Sequence, residues 1–215
     1  MTVRVKICGI TRKEDLDAAV EAGADAVGFV VGVASSSRNL SLNEAERLIR
    51  QVPPFVTNVL VTVPRSIDDF AAYQMLNPSV IQIHGENLHA AEAIRRKLPN
   101  TLLIGAVNVQ VSNDLDAMSR AAKLFDAVLL DSFVEGRYGG TGVVHDWEKS
   151  KQVKQVIQPK PLILAGGLNP ENVAEAVRTV EPYAVDVSSG VEQQPGIKSH
   201  QKIVEFIKNA KDVRT

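Results

Sequence analysis

The chain has 215 residues, a formal net charge of −1 and a 45% hydrophobic composition. Acids and bases nearly balance, which gives no basic surface for nucleic acid, and no apolar stretch reaches the ~20 residues that span a bilayer. The single cysteine, Cys8, cannot close an internal disulfide, which suits a reducing, cytoplasmic setting.

The N-terminus reads as lacking a signal peptide, because Arg4, Lys6 and Arg12 bracket only a short apolar run. Val3 to Gly9 reads as a first strand ended by glycine. Lys13 to Glu21 follows as a helix, with Thr11 as its cap and Gly23 closing it. Ala26 to Val31 is a second strand, and a polar loop, Ala34 to Asn39, comes after it. Ser41 and Glu44 form a capping box ahead of a helix whose buried stripe is Leu48, Ile49 and Val52. Thr57 to Val63 reads as a strand and Ser66 to Leu76 as a helix. Val80 to Ile83 is a fourth strand, followed by His84-Gly85 and a helix over Leu88 to Leu98. Leu102 to Val109 and Ala127 to Leu130 are the fifth and sixth strands, with a helix over Asp114 to Leu124 between them. A long glycine-rich loop runs to His145, and Asp146 caps a helix that ends at Ile157.

The last third carries the clearest signal. Leu162 to Ala165 is a short apolar run, as in a strand buried on both faces. Gly166-Gly167 stops it, and Pro170 opens a helix with Val173, Ala176, Val177 and Val180 at helical spacing. Ala184 to Val187 is an eighth strand ending in Ser188-Ser189-Gly190, and Ser199 to Ala210 is the last helix. Eight uninterrupted strand–helix pairs imply parallel strands joined by right-handed crossovers. In this length they predict an α/β fold, a single-domain TIM (β/α)8 barrel over residues 1–215; a doubly wound open sheet is the competing architecture.

Barrel active sites lie at the C-terminal strand ends, and the last two loops commonly bind phosphate through backbone N–H groups. That rule selects Cys8, Arg38, His84, Asp131 and Asp186 with the turns Gly166-Gly167 and Ser189-Gly190. Each has a plainer alternative. Cys8 is either a small buried apolar residue or a base or nucleophile whose thiolate a nearby cation favours. Arg38 is either solvated or a fork for a carboxylate. His84 either caps a strand or takes part in the chemistry. Asp131, after four apolar residues, must be solvated or hydrogen-bonded at the mouth. Asp186 either contacts a ligand or anchors backbone. Gly139-Gly140-Thr141-Gly142 reads as a flexible lid or a loop closing over a ligand.

Taken in order, several segments are more specific than any one of them: Val5 to Thr11, Ser37-Arg38, Gln82 to Glu86, Leu130-Asp131-Ser132, Gly139 to Gly142 with Asp146-Trp147, Ala165 to Val173, and Val185 to Glu192. Together they resemble phosphoribosylanthranilate isomerase, the barrel enzyme of tryptophan biosynthesis, from the first strand to the eighth. The resemblance implies a cofactor- and metal-free Amadori rearrangement of N-(5-phosphoribosyl)anthranilate to 1-(2-carboxyphenylamino)-1-deoxyribulose 5-phosphate. It implies Cys8 as general base, Asp131 as general acid, and Arg38 on the anthranilate carboxylate. It also implies Asp186 near the sugar, with the phosphate on Gly166, Gly167, Ser189 and Gly190. His84 joins them as a substrate-binding residue. The implied partner is a phosphosugar, with no nucleic acid or membrane, and the protein is a monomer or homodimer. Ser37 stands where the family usually has proline, Val143 where it often has lysine, and Asn58 to Val63 where Gly-Val-Phe is commoner. The rival readings are another phosphosugar barrel of thiamine- or histidine-pathway type and a barrel that binds a phosphosugar without catalysis.

Overall fold

The structure, a computed structural model, describes residues 2–84, 89–108, 115–131 and 147–213. In chain order it begins with β1 (Arg4–Cys8), α1 (Lys13–Glu21), β2 (Ala26–Val31), a two-residue β3 (Asn39–Leu40) and α2 (Leu42–Ile49). Next come β4 (Thr57–Thr62), α3 (Asp69–Met75), β5 (Val80–His84), α4 (His89–Lys97), β6 (Leu102–Asn108), α5 (Leu115–Ala122) and β7 (Ala127–Asp131). The chain ends with α6 (Trp147–Ile157), β8 (Leu162–Leu164), α7 (Val173–Val180), β9 (Ala184–Val187), a 3-10 turn (Ser189–Val191), the hairpin β10 (Glu192–Gln194) and β11 (Ile197–Lys198), and α8 (His200–Lys211).

The sheet order is β1-β9-β8-β7-β6-β5-β4-β2, and β1 also pairs with β2, so the sheet closes on itself with every barrel pairing parallel. The fold is therefore the (β/α)8 barrel, and the open-sheet alternative falls. Successive strand residues point to opposite faces, and the apolar residues sort accordingly. Val5, Ile7, Val27, Phe29, Leu60, Ile81, Leu103, Leu130 and Val185 face outward and bury the apolar stripes of the helices. Cys8, Val30, Val59, Val61, Val80, Ile104, Leu129, Ile163 and Ala184 fill the lumen. Small and β-branched side chains dominate the lumen, as eight strands leave room for little more.

Local chemistry explains most element ends and corrects some expectations. The Ser41–Glu44 capping box forms on both arms, and the Ser199 hydroxyl accepts from Lys202 N at the start of α8. Thr11 does not cap α1. The N-cap position is Arg12, with no side-chain cap, and the Thr11 hydroxyl instead donates to Gly196 O at 2.6 Å. Helix α7 starts at Val173 rather than beside Pro170, because Asn169 Oδ1 accepts from both Glu171 N and Asn172 N and holds this segment in a turn. Asn172 Nδ2 then donates to Gly167 O at 2.9 Å, which ties the glycine turn to the helix behind it. The loop after β2 contains the short strand β3, and a hairpin follows β9; neither is apparent from hydrophobic periodicity. The Gly139–Gly142 loop and the Asp146 cap lie outside the described residues.

Candidate active site

Lumen-facing parity brings the polar residues together. Cys8 on β1 is itself a lumen position, and Lys6 on β1, Gln82 and His84 on β5, Asp131 on β7 and Asp186 on β9 all lie two or four residues from lumen positions on their own strands. Five of these, with Arg38, Gly166, Gly167, Ser189 and Gly190, line one cleft at the C-terminal strand ends, about 730 Å³ including its open mouth. Every site candidate from the sequence that lies within the described residues thus borders a single space. Cys8 is 7% exposed and Asp131 8%, so each is screened from bulk water while still bordering the cleft.

Cys8 lies beside a buried ion pair. Lys6 and Asp186 are register partners in β1 and β9, and Lys6 Nζ meets Asp186 Oδ1 at 2.9 Å. Burial pushes the Cys8 thiol up and prevails; the charge and hydrogen bond of Lys6, with Lys198, pull it back only in part, and Asp186 adds to the rise. Burial opposes the charge on Lys6 as well, but Asp186 and then Cys8 outweigh it, and the ammonium is retained. Gly28, opposite Cys8 in β2, makes this crowding possible: a β-carbon there would lie 2.9 Å from Cys8 Sγ and 3.2 Å from Lys6 Cε.

His84 is neutral. Burial, and then the Lys6 charge, lower its pKa to about 4. Gln82 Nε2 contacts His84 Nε2 at 2.7 Å; an amide nitrogen can only donate, so the ring proton lies on Nδ1. That Nδ1 and Gln82 Oε1 are buried and have no hydrogen-bond partner among the described residues. Both residues line the cleft.

The turns after β8 and β9 offer main chain to an anion. Gly166 and Gly167 adopt φ of +83° and +65°, a conformation other residues rarely hold. Successive glycines of this kind turn N–H groups into a concavity suited to an anion. Gly190 packs against Leu168: a β-carbon there would lie 1.9 Å from Leu168 O, so only glycine lets the two turns approach. The 3-10 turn at Ser189–Val191 stands where a short extra helix often completes a barrel phosphate site.

Arg38 borders the cleft, and its fork is held. Nε and Nη2 donate to Glu192 Oε1 and Oε2 at 2.8 and 2.6 Å. Glu192, Lys198, Lys6 and Gln82 are not among the candidates selected from the sequence. Lys6 could have been found by alternation, since Val5 and Ile7 leave it on the same face as Cys8. Gln82 shares that parity with His84. Glu192 and Lys198 gave no such signal, because their hairpin has no periodicity to read.

Fold and cleft define a (β/α)8-barrel protein with a thiol, carboxylates and a main-chain anion cradle converging at its C-terminal rim. Residues 5–209 match the family model described as N-(5'-phosphoribosyl)anthranilate (PRA) isomerase. The chain is 47% identical over 206 residues to the N-(5'-phosphoribosyl)anthranilate isomerase of Pseudomonas fluorescens, covering 95% of this chain and 97% of the relative. It is similar to the solved phosphoribosyl anthranilate isomerase of Thermotoga maritima, with a TM-score of 0.83, 41% identity and coverage of 98% of this chain and 100% of that one. A further solved isomerase, in complex with reduced 1-(o-carboxyphenylamino)-1-deoxyribulose 5-phosphate, matches at a TM-score of 0.80 and 41% identity, with coverage of 98% and 100%. The chain belongs to the phosphoribosylanthranilate isomerase family.

Proposed function

We infer that this chain isomerises N-(5-phosphoribosyl)anthranilate to 1-(2-carboxyphenylamino)-1-deoxyribulose 5-phosphate, with Cys8 as general base and Asp131 as general acid. The observation that carries the reading is that a thiol and a carboxyl group, both facing the lumen, border one cleft with two glycine-bearing turns. Asp131 gives a proton to the ribose ring oxygen, and the C1–O bond breaks to leave an iminium ion. The iminium acidifies the C2 hydrogen, and the Cys8 thiolate removes it. The resulting enolamine moves a proton from O2 to C1 to become the ketone, and proton exchange restores thiolate and acid. No atom is gained or lost.

The remaining residues bind. The phosphate sits on the main-chain N–H groups of Gly166, Gly167, Ser189 and Gly190. Arg38 meets the anthranilate carboxylate with the edge of its fork that Glu192 does not occupy. His84 and Asp186 face the ribose hydroxyls, and Lys6 favours the thiolate form of Cys8. A catalytic thiol works only while reduced, which supports a cytoplasmic enzyme. The test is turnover of phosphoribosylanthranilate by the purified protein, followed by the change in anthranilate-ring emission on rearrangement. Signal loss dependent on this protein supports the reading; none at micromolar enzyme rejects it.

A further inference from the structure

Behind Arg38 lies a buried charge relay that joins it to the turn after β9. Glu192 and Lys198 are register partners across the β10–β11 hairpin. Their side chains are 5% and 0% exposed and meet at 2.9 Å through Glu192 Oε1, the same oxygen that accepts from Arg38 Nε. Lys198 Nζ also donates to the Ser188 carbonyl at 3.0 Å and reaches its hydroxyl at 3.4 Å. Ser188 opens the turn that bears Ser189 and Gly190. One ammonium therefore touches both the carboxylate that grips Arg38 and the backbone that leads into the anion cradle. Gly9 marks where these groups converge: a β-carbon there would lie 2.9 Å from both Arg38 Cδ and Ser188 Oγ. The hairpin itself is held from behind. Lys198 N donates to Asp15 Oδ2 at 3.1 Å, and Arg12 and His200 hold the same carboxylate at 2.7 and 3.0 Å.

Charge says what the relay does. Arg38 and Lys198 share one carboxylate, so the triad by itself carries one positive charge beyond balance in a poorly solvated place, and the nearby Cys8 acts on both cations only when it is a thiolate. A mere structural bridge would favour neutrality, because buried charge is costly to leave uncompensated. An excess of one positive charge is matched when an anion arrives at either end. Burial lowers the Lys198 pKa and Glu192 opposes that fall, while for Glu192 burial is outweighed by Arg38 and Lys198, which keep it ionised.

We propose that Glu192 and Lys198 are positioning residues that aim the Arg38 fork at the substrate carboxylate and couple it to the Ser188–Gly190 phosphate turn. Glu192 fixes the guanidinium plane by a two-point contact, which leaves the other edge of the fork presented to the cleft. Lys198 makes the pose of that fork depend on Ser188, so filling the phosphate turn readies the carboxylate site. The proposal rests on the assignment of Arg38 to the carboxylate.

The test compares two ligands by calorimetry: the rearranged product and its anilino analogue, which lacks only the carboxylate. For Glu192→Gln, which keeps the side-chain volume, the product should bind about tenfold or more weakly, the loss of one charge-assisted contact. The analogue should change by less than about twofold. Lys198→Met should weaken both ligands, and Lys198→Arg should restore most of the loss. Arg38→Ala, measured alongside, separates the two levels of the argument. If Arg38→Ala leaves product and analogue equally affected, the carboxylate assignment itself fails. If Arg38→Ala selectively weakens the product but Glu192→Gln does not, the relay alone is overturned. Should Lys198→Met not fold, the Glu192→Gln comparison decides by itself.

Discussion

Lys6 and Asp186 face each other in register across β1 and β9, and their side chains meet at 2.9 Å inside the barrel, next to the Cys8 thiol. Lys6 and Lys198 favour charge on that sulfur, Asp186 opposes it, and Arg38 also interacts with it. Burial and Asp186 still outweigh the two lysines, so the thiol lies above its ordinary pKa and its thiolate form depends on Lys6.

Replacing Lys6 by Gln removes the nearest cation and leaves Asp186 to raise the thiol further. Both effects act in one direction, so the pH profile of Cys8 alkylation by iodoacetamide shifts to higher pH and the rate at pH 8 falls by roughly tenfold. Lys6→Arg retains a charge and keeps most of the wild-type profile. Because one partner of a buried pair is lost, Lys6→Gln also costs about 3–5 kcal/mol of stability, read as a lower denaturant midpoint.

His84 makes stability depend on acid. Its folded pKa is about 4, below the ordinary 6.5, so the unfolded chain takes up the proton first. The stability it permits is whole above pH 6.5 and declines as pH falls toward 4, by about 3 kcal/mol in total. The difference in unfolding free energy between the wild type and His84→Gln should therefore change by that amount between pH 7 and pH 4. A pH-independent difference would show that the imidazole is not buried as a neutral ring.

Gly190→Ala would drive a methyl group into the Leu168 carbonyl, 1.9 Å from where it must sit. The two turns must separate, and the anion cradle opens. Inhibition by inorganic phosphate should weaken by about tenfold or more, since aligned charge-assisted hydrogen bonds are lost. A phosphate inhibition constant unchanged from wild type would remove the Gly190 turn from the cradle.

What the sequence could reveal followed from what repeats. Short apolar runs such as Val80 to Ile83 and Leu162 to Ala165 announce strands buried on both faces, and their alternation with helices fixes the barrel. Glycine pairs and the Ser188-Ser189-Gly190 turn mark strand ends, so Cys8, Asp131 and Asp186 were selectable from position. Thr11 and Pro170 misled because a competing partner won, distant in sequence for Thr11 and local for Pro170. Gly196 O captures the Thr11 hydroxyl, and the Asn169 and Asn172 side chains hold the turn before α7. The roles of Glu192 and Lys198 could not be read either: Glu192 meets Arg38 across 154 residues, and Lys198 joins them only through Glu192.

The central claim, that a thiolate and a carboxylic acid share the proton transfers, is tested most directly by kcat for Cys8→Ser and Asp131→Asn, measured beside the product Kd of each variant. Removing either group should lower kcat by about 10²–10⁴-fold, with the product Kd within about threefold of wild type. Near-normal turnover in either variant would contradict the account and remove that residue from the mechanism.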